Sequence, residues 1–102
     1  MNVKCIVIHI AVSYFSTTMN SRNKKTLTSI FQEPVRSDIN WIEIEKLFIS
    51  LGAEVSEGSG SRVRVALNGV RAVFHRPHPK KITDKGALKS VKRFLLTAGV
   101  KL

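Results

Sequence analysis

The stretch RVRVALNGVRAVFH, residues 62–75, predicts a β-hairpin that organises the rest of the chain. It consists of two segments with strand-like patterning, separated by Asn68-Gly69. Asn-Gly is the preferred sequence for a two-residue type I′ turn, and such a turn fixes the register of the two strands. In that register one face of the hairpin is entirely apolar. This face is formed by Val63, Val65, Leu67, Val70, Ala72 and Phe74.

The opposite face of the predicted hairpin carries basic residues. The expected cross-strand neighbours are Arg62 with His75, Arg64 with Val73, and Ala66 with Arg71. Guanidinium groups clustered in this way can bind phosphates through paired hydrogen bonds. The alternative is that these charges only protect the sheet from aggregation.

The elements around the hairpin predict an α+β fold. A short helix is expected from Lys25 to Phe31, because Pro34 prevents its continuation. The other expected elements are a helix capped by Asp38 or Asn40 and ended by Gly52, a strand over 53–57, and a helix from Thr83 or Asp84 to Gly99. A three-stranded antiparallel sheet with the helices on one face is the natural packing.

The first eighteen residues differ from the rest and are expected to form a leader, with a single domain over residues 19–102. The leader contains an apolar run from Cys5 to Tyr14 behind one lysine. Three interpretations stay open. Met19 is the true start, or the run is a first β-strand, or it is a weak secretory signal that lacks a recognisable cleavage site.

The formal net charge is +10 and lies entirely in the last 45 residues. Residues 1–57 contain six basic and six acidic residues, whereas residues 58–102 contain eleven basic residues and one acid. Such a distribution favours a polyanionic partner and salt-dependent binding. A single cysteine allows no internal disulfide, no Cys/His cluster has metal-ligand spacing, and no run is long enough to span a membrane. We therefore expect a cytoplasmic protein without a metal site or membrane contact.

Four motifs, in this order and spacing, resemble the HicA family of toxin–antitoxin ribonucleases. They are Gly60-Ser61 before a strand, Pro77-His78-Pro79 after the hairpin, Lys85-Gly86-Ala87-Leu88-Lys89-Ser90-Val91, and Ala98-Gly99. The resemblance covers roughly residues 36–100. It implies a fold like that of double-stranded-RNA-binding domains, α-β-β-β-α. It also implies mRNA cleavage without metal or cofactor, and neutralisation by a HicB-type antitoxin protein.

The sequence departs from the family pattern at one position that bears on catalysis. The family usually has a catalytic histidine directly after Gly-Ser, and here Arg62 follows Gly60-Ser61. Arginine stays protonated and is a poor general base. The predicted register places His75 opposite Arg62, so His75 could fill the acid–base role, with Arg62 stabilising negative charge. The alternative is that His75 only contacts phosphate or solvent.

His78 is the third candidate catalytic residue, since it lies between two prolines in a stiff basic loop. Its alternative role is to bond backbone groups of the loop. Phosphate contacts are expected from Arg62, Arg64, Arg71, Arg76, Lys80, Lys81, Lys85, Lys89 and Lys92. Each lysine taken alone is more typical of a solvated charge than of a phosphate contact.

Three functions are compatible with these residues. The first is a toxin that acts as an endoribonuclease. The second is a non-catalytic nucleic-acid-binding module of the same fold, which the replacement of the expected histidine by Arg62 favours. The third is a basic interaction protein for an acidic, antitoxin-like partner.

Overall fold

The hairpin forms two strands of a three-stranded antiparallel sheet in the computed structural model, which describes residues 20–101. In chain order the elements are α1 (Ser21–Ile30), β1 (Ile39–Asn40), α2 (Trp41–Ser50), β2 (Glu54–Glu57), β3 (Arg62–Leu67), β4 (Val70–His75), β5 (Ile82–Thr83) and α3 (Lys85–Thr97). Strand β3 is central, with β2 and β4 on its two sides. The leader expected at residues 1–18 lies outside the described residues.

The turn between β3 and β4 has the geometry that its sequence predicts. Asn68 and Gly69 both have positive φ, 52° and 82°, as a type I′ turn requires. All six expected cross-strand pairs are present, from Arg62 opposite His75 to Leu67 opposite Val70. The side-chain amide of Asn68 also donates a hydrogen bond to the carbonyl of Ala98 at 2.8 Å. The turn is thereby attached to the end of α3.

The helices pack on the apolar face of the sheet, as the sequence predicts. Phe48 of α2, Phe74 of β4 and Phe94 of α3 meet there, with ring centroids 5.7 Å apart in each pair. Trp41 joins this cluster at 5.8 Å from Phe74. Strand residues such as Val63 are completely buried beneath the helices. The predicted α+β architecture, compatible with α-β-β-β-α, is confirmed.

The ends of α2 and α3 follow their sequence signals. Asn40 caps α2 by accepting a hydrogen bond from the backbone N–H of Ile42 at 2.9 Å, and Asp84 caps α3 by accepting from that of Ala87 at 2.7 Å. At the other end of α3, the N–H of Val100 bonds back to the carbonyl of Leu95 at 2.9 Å. This is a Schellman motif, and it buries Val100 in the core.

Two features of the fold differ from the sequence-based expectation. Helix α1 begins at Ser21 instead of Lys25, because Asn20 caps it by accepting from the N–H of Asn23. The buried residues near the start of this helix are polar, so the periodicity of apolar residues did not indicate where the helix begins. A second, two-stranded sheet pairs β1 with β5, which places Ile39 opposite Thr83. This pairing joins the start of α2 to the start of α3.

Candidate nucleic-acid interface

The face of the sheet opposite the helices is exposed and predominantly basic. We call it the open sheet face, defined by Arg62, Arg64, Arg71, Val73 and His75, all of which are exposed. Within the described part of the chain none of its three arginines makes an ion pair, so their donors are available to an anion. Val73 is 56% exposed at the centre of this face. One carboxylate, Glu54, shares the face beside Ala66, and the hairpin pattern alone gave no sign of it.

One end of the open sheet face carries Arg62 and His75 on adjacent strands. Hydrogen bonds lock the backbone there: Gly58 N–H donates to the carbonyl of Arg62 at 2.9 Å, and Arg76 N–H donates to that of Ser61 at 2.9 Å. Glycine fits closely at position 58, because a Cβ there would lie 3.0 Å from Cβ of Arg62, a tight contact. Arg62 and His75 are therefore held side by side by rigid strands, with both side chains in solvent.

The two candidate catalytic histidines line different cavities. His75 borders a cavity of about 330 Å³, which we call the α3 cavity because Asp84 and Ser90 at the start of α3 form its other side. His78 borders a cavity of about 520 Å³ between α2 and the loop after β4, which we call the α2 cavity. The structure thus brings Arg62 and His75 together, whereas His78 lies beyond the end of β4 and borders the other cavity.

Arg76 differs from the other arginines because carboxylates surround its guanidinium group. Nε and Nη2 donate to Glu45 of α2 at 2.7 and 3.2 Å, and Nη1 and Nη2 donate to Glu57 of β2 at 2.6 and 2.8 Å. Glu45 also accepts from the indole N–H of Trp41. These hydrogen bonds raise the pKa of Arg76 and lower that of Glu57. We call this set the Arg76 clamp.

The clamp was missed from the sequence, although one signal for it was present. Strand alternation puts His75 on the open sheet face, and so it puts Arg76 on the helix side with Phe74. The sequence predicts a phosphate contact for Arg76 because Arg76 lies among other basic residues in the loop after β4. Its carboxylate partners lie 31 and 19 residues earlier in the chain, which no local pattern reveals.

The lysines predicted to meet phosphates fall into two groups. Lys80, Lys81, Lys85 and Lys89 are exposed around the start of α3. Lys92 is half-buried, since its ammonium group lies 2.8 Å from a carboxylate oxygen of Glu33 and 5.7 Å from the ring centroid of Phe31. The hydrogen bond from Lys92 lowers the pKa of Glu33. Lys92 therefore already has an anionic partner, whereas the four exposed lysines remain candidates for phosphate contact.

Two findings concern metal ions and membranes. Among residues 20–101 no group of three or more His, Cys, Asp or Glu side chains is arranged to hold a metal ion. Over the same residues no helix is long and apolar enough to cross a membrane.

Comparison with known proteins identifies the class to which this domain belongs. Residues 41–100, from the start of α2 to the buried Val100, match the family model described as the HicA toxin of bacterial toxin–antitoxin. The match covers more than half of the chain, and the chain therefore belongs to the HicA toxin family. It is the toxin of a toxin–antitoxin pair, and an antitoxin partner follows from that membership. No curated protein and no solved structure matches the chain.

Proposed function

We propose that this toxin is an endoribonuclease that binds mRNA on the open sheet face and cleaves it by histidine acid–base chemistry, without a metal ion. The observation that carries the proposal is the pairing of Arg62 with His75 at the end of an exposed face whose arginines have no ion-pair partner among the described residues. An imidazole beside a guanidinium group supplies both a proton acceptor and a fixed positive charge.

In the proposed reaction, His75 removes the proton from a ribose 2′-hydroxyl, and that oxygen attacks the adjacent phosphorus. Arg62 stabilises the negative charge that develops on the phosphoryl oxygens. The bond to the 5′-oxygen then breaks, and this oxygen takes a proton from an acid. His78 is the proposed acid, because only two residues separate it from His75. The products are a 2′,3′-cyclic phosphate and a 5′-hydroxyl end.

The location of the histidines restricts how RNA can be bound. His75 and His78 line cavities on either side of the end of β4. Both can act on one phosphate only if the RNA strand crosses this end of the sheet. Arg64 and Arg71 would then hold phosphates on the open sheet face. Exposed lysines near α3, namely Lys80, Lys81, Lys85 and Lys89, would extend the contact.

Arg76 and Lys92 have different roles in this proposal. The guanidinium group of Arg76 and the ammonium group of Lys92 are both bound to carboxylates. These two residues would therefore support RNA binding mainly by keeping β4 and α3 in place. Direct phosphate contact by either side chain would require its carboxylate partner to be displaced.

A second candidate function is RNA binding without cleavage, and the presence of Arg62 where the family resemblance implies a histidine favours it. The two functions differ in one measurable product. We would incubate purified protein with a labelled mRNA fragment in EDTA and analyse the fragment ends. Cleavage predicts 2′,3′-cyclic phosphate ends, whereas pure binding predicts a gel shift with intact RNA.

Variants identify the residues responsible. His75→Ala is expected to abolish cleavage while RNA binding is retained, and Arg62→Ala is expected to reduce the cleavage rate by about 100-fold or more. Arg93→Ala is the matched control, because Arg93 is an exposed arginine of α3 outside the proposed site. Full cleavage by His75→Ala would refute the assigned chemistry, and intact RNA with the unaltered protein would favour the binding module.

A further inference from the structure

The α2 cavity has an exposed apolar wall that the core does not use. Ile42 and Ile49, about two turns apart on the outer side of α2, are 40% and 61% exposed. Pro77 from the loop after β4 lines the same cavity. The volume of about 520 Å³ falls within the range of sites that bind small molecules. Such sites are concave, whereas protein–protein interfaces are usually flatter.

The rim of the α2 cavity is cationic. Lys46 of α2, Lys81 of the following loop and the imidazole of His78 border it. Lys81 and His78 are exposed, and Lys46 has only a marginal ion pair with Glu43 at 3.9 Å. An apolar interior with a positive rim matches a ligand that joins a flat apolar ring to a phosphate.

Polar groups inside the cavity are few and held in place. The Arg76 clamp fixes Glu45 and the guanidinium group of Arg76 at its inner side. Ser61 adds an exposed hydroxyl. Because most hydrogen-bonding positions of the clamp are already occupied within it, the exposed hydroxyl of Ser61 is the polar group available to a base edge beside the apolar wall.

The cavity is also close to the proposed cleavage site. Ser61 lines it, and the next residue is Arg62. Along the other strand, His78 lies three residues after His75, a length of chain that spans at most about 10 Å. Neighbouring nucleotides of one RNA strand could therefore reach both places.

We infer that the α2 cavity is a nucleotide subsite, in which an unpaired base inserts between Ile42, Ile49 and Pro77 while its phosphate contacts Lys81 and Lys46. The inference rests on the RNA binding proposed above and adds a position at which the toxin distinguishes bases. Unpaired bases are the usual targets of sequence-specific RNA recognition, because their edges are accessible.

The test is an NMR titration of the complete ¹⁵N-labelled protein with each of the four nucleoside 5′-monophosphates and, separately, with inorganic phosphate. We expect at least one nucleotide to shift the amides of Ile42, Ile49 and Ser61. Ile49→Gln should weaken its binding about tenfold, because a polar amide replaces aliphatic surface that would pack against the base. Leu96→Gln is the matched control, since Leu96 is 51% exposed on α3, and it should leave the affinity unchanged.

Three outcomes would overturn the inference. These are shifts confined to the open sheet face, equal shifts with inorganic phosphate, or cavity amides that respond to a bound antitoxin and to none of the nucleotides. The last outcome would identify a protein-docking site. Because the titration needs no cleavage, a nucleotide that binds in the cavity of a protein inactive on RNA would refute only the proposed reaction. Cleavage without nucleotide binding would refute only the subsite.

Discussion

Replacement of Arg76 by alanine is expected to be the most destabilising change of any single basic residue in the described chain. Its guanidinium group makes four hydrogen bonds that connect the end of β4, directly before Arg76, to α2 and to β2. The variant leaves the carboxylate of Glu45, which is only 20% exposed, with the indole N–H of Trp41 as its remaining partner. A desolvated carboxylate without a counter-charge is costly, so the Glu45 side of the clamp carries most of the effect.

The magnitude follows from the burial of the two carboxylates. Breaking a fully buried ion pair costs about 3–5 kcal/mol, and an exposed pair contributes about 0.2–1 kcal/mol. The pair of Arg76 and Glu45, 30% and 20% exposed, lies between these limits but closer to the buried one. We therefore expect Arg76→Ala to lower the free energy of unfolding by about 2–3 kcal/mol. Each kcal/mol corresponds to about 4–8 °C in Tm for a domain of this size.

The assay is urea unfolding followed by the fluorescence of Trp41, the only tryptophan of the chain. A double-mutant cycle of Arg76→Ala with Glu45→Ala should give a coupling energy of about 1–2 kcal/mol. The same cycle with Glu57→Ala should give a clearly smaller value, because Glu57 is 71% exposed. High salt should weaken only the second coupling.

Arg93→Ala is the control for this experiment, because its exposed side chain makes no ion pair within residues 20–101, and we expect it to change stability by less than about 0.5 kcal/mol. The reasoning is refuted if Arg76→Ala costs less than about 1 kcal/mol. It is also refuted if the couplings to Glu45 and Glu57 are equal, since burial would then not decide the strength of the clamp.

Three other predictions concern the turn, the pH dependence and the RNA affinity. Gly69→Ala should cost about 1–2 kcal/mol in urea unfolding because φ is +82° there, whereas Gly86→Ala in α3 should not destabilise the protein, since its Cβ would meet only Asp84 at 3.6 Å. Arg76 lowers the pKa of Glu57, so the ion pair of Glu57 with Arg76 contributes its full stabilisation above the ordinary pKa of 4.5. This stabilisation is lost as the pH falls through the pKa of Glu57 in the folded protein. The urea midpoint should therefore decrease below pH 4.5, and it should decrease less steeply in Glu57→Gln. Arg64→Ala and Arg71→Ala should each weaken RNA binding and reduce the slope of log affinity against log salt by about one, and an unchanged slope would place the RNA elsewhere.

The parts of the fold that could be predicted are those encoded by neighbouring residues. Asn68-Gly69 and the alternation around it determined both the turn and the register, and hence the juxtaposition of Arg62 and His75. Helix caps at Asn40 and Asp84 are equally local. In each case the energy that selects the structure comes from residues within a few positions of one another, so a sequence pattern contains the information.

The features that were missed depend on residues far apart in the chain. The pairing of β1 with β5 involves two residues on each side, too few for a strand pattern, and joins segments more than forty positions apart. The Arg76 clamp similarly needs α2, β2 and β4 to meet before its carboxylates face the guanidinium group. The positions of His75 and His78 in two different cavities could not be predicted either. The two residues are close in sequence, and only the packing of the helices around the end of β4 separates them.

The clamp separates Arg76 from the arginines of the open sheet face, although all four lie on or next to the same hairpin. Strand alternation turns His75 and Arg76 to opposite sides of the sheet. On the helix side the carboxylates of Glu45 and Glu57 neutralise Arg76, so its guanidinium group is not an uncompensated charge beside the core. On the open sheet face Arg62, Arg64 and Arg71 lack such partners within the described residues and stay available to a polyanion. An acidic partner on that face would cover the same arginines and His75, and it would therefore block the proposed RNA binding and the proposed chemistry together.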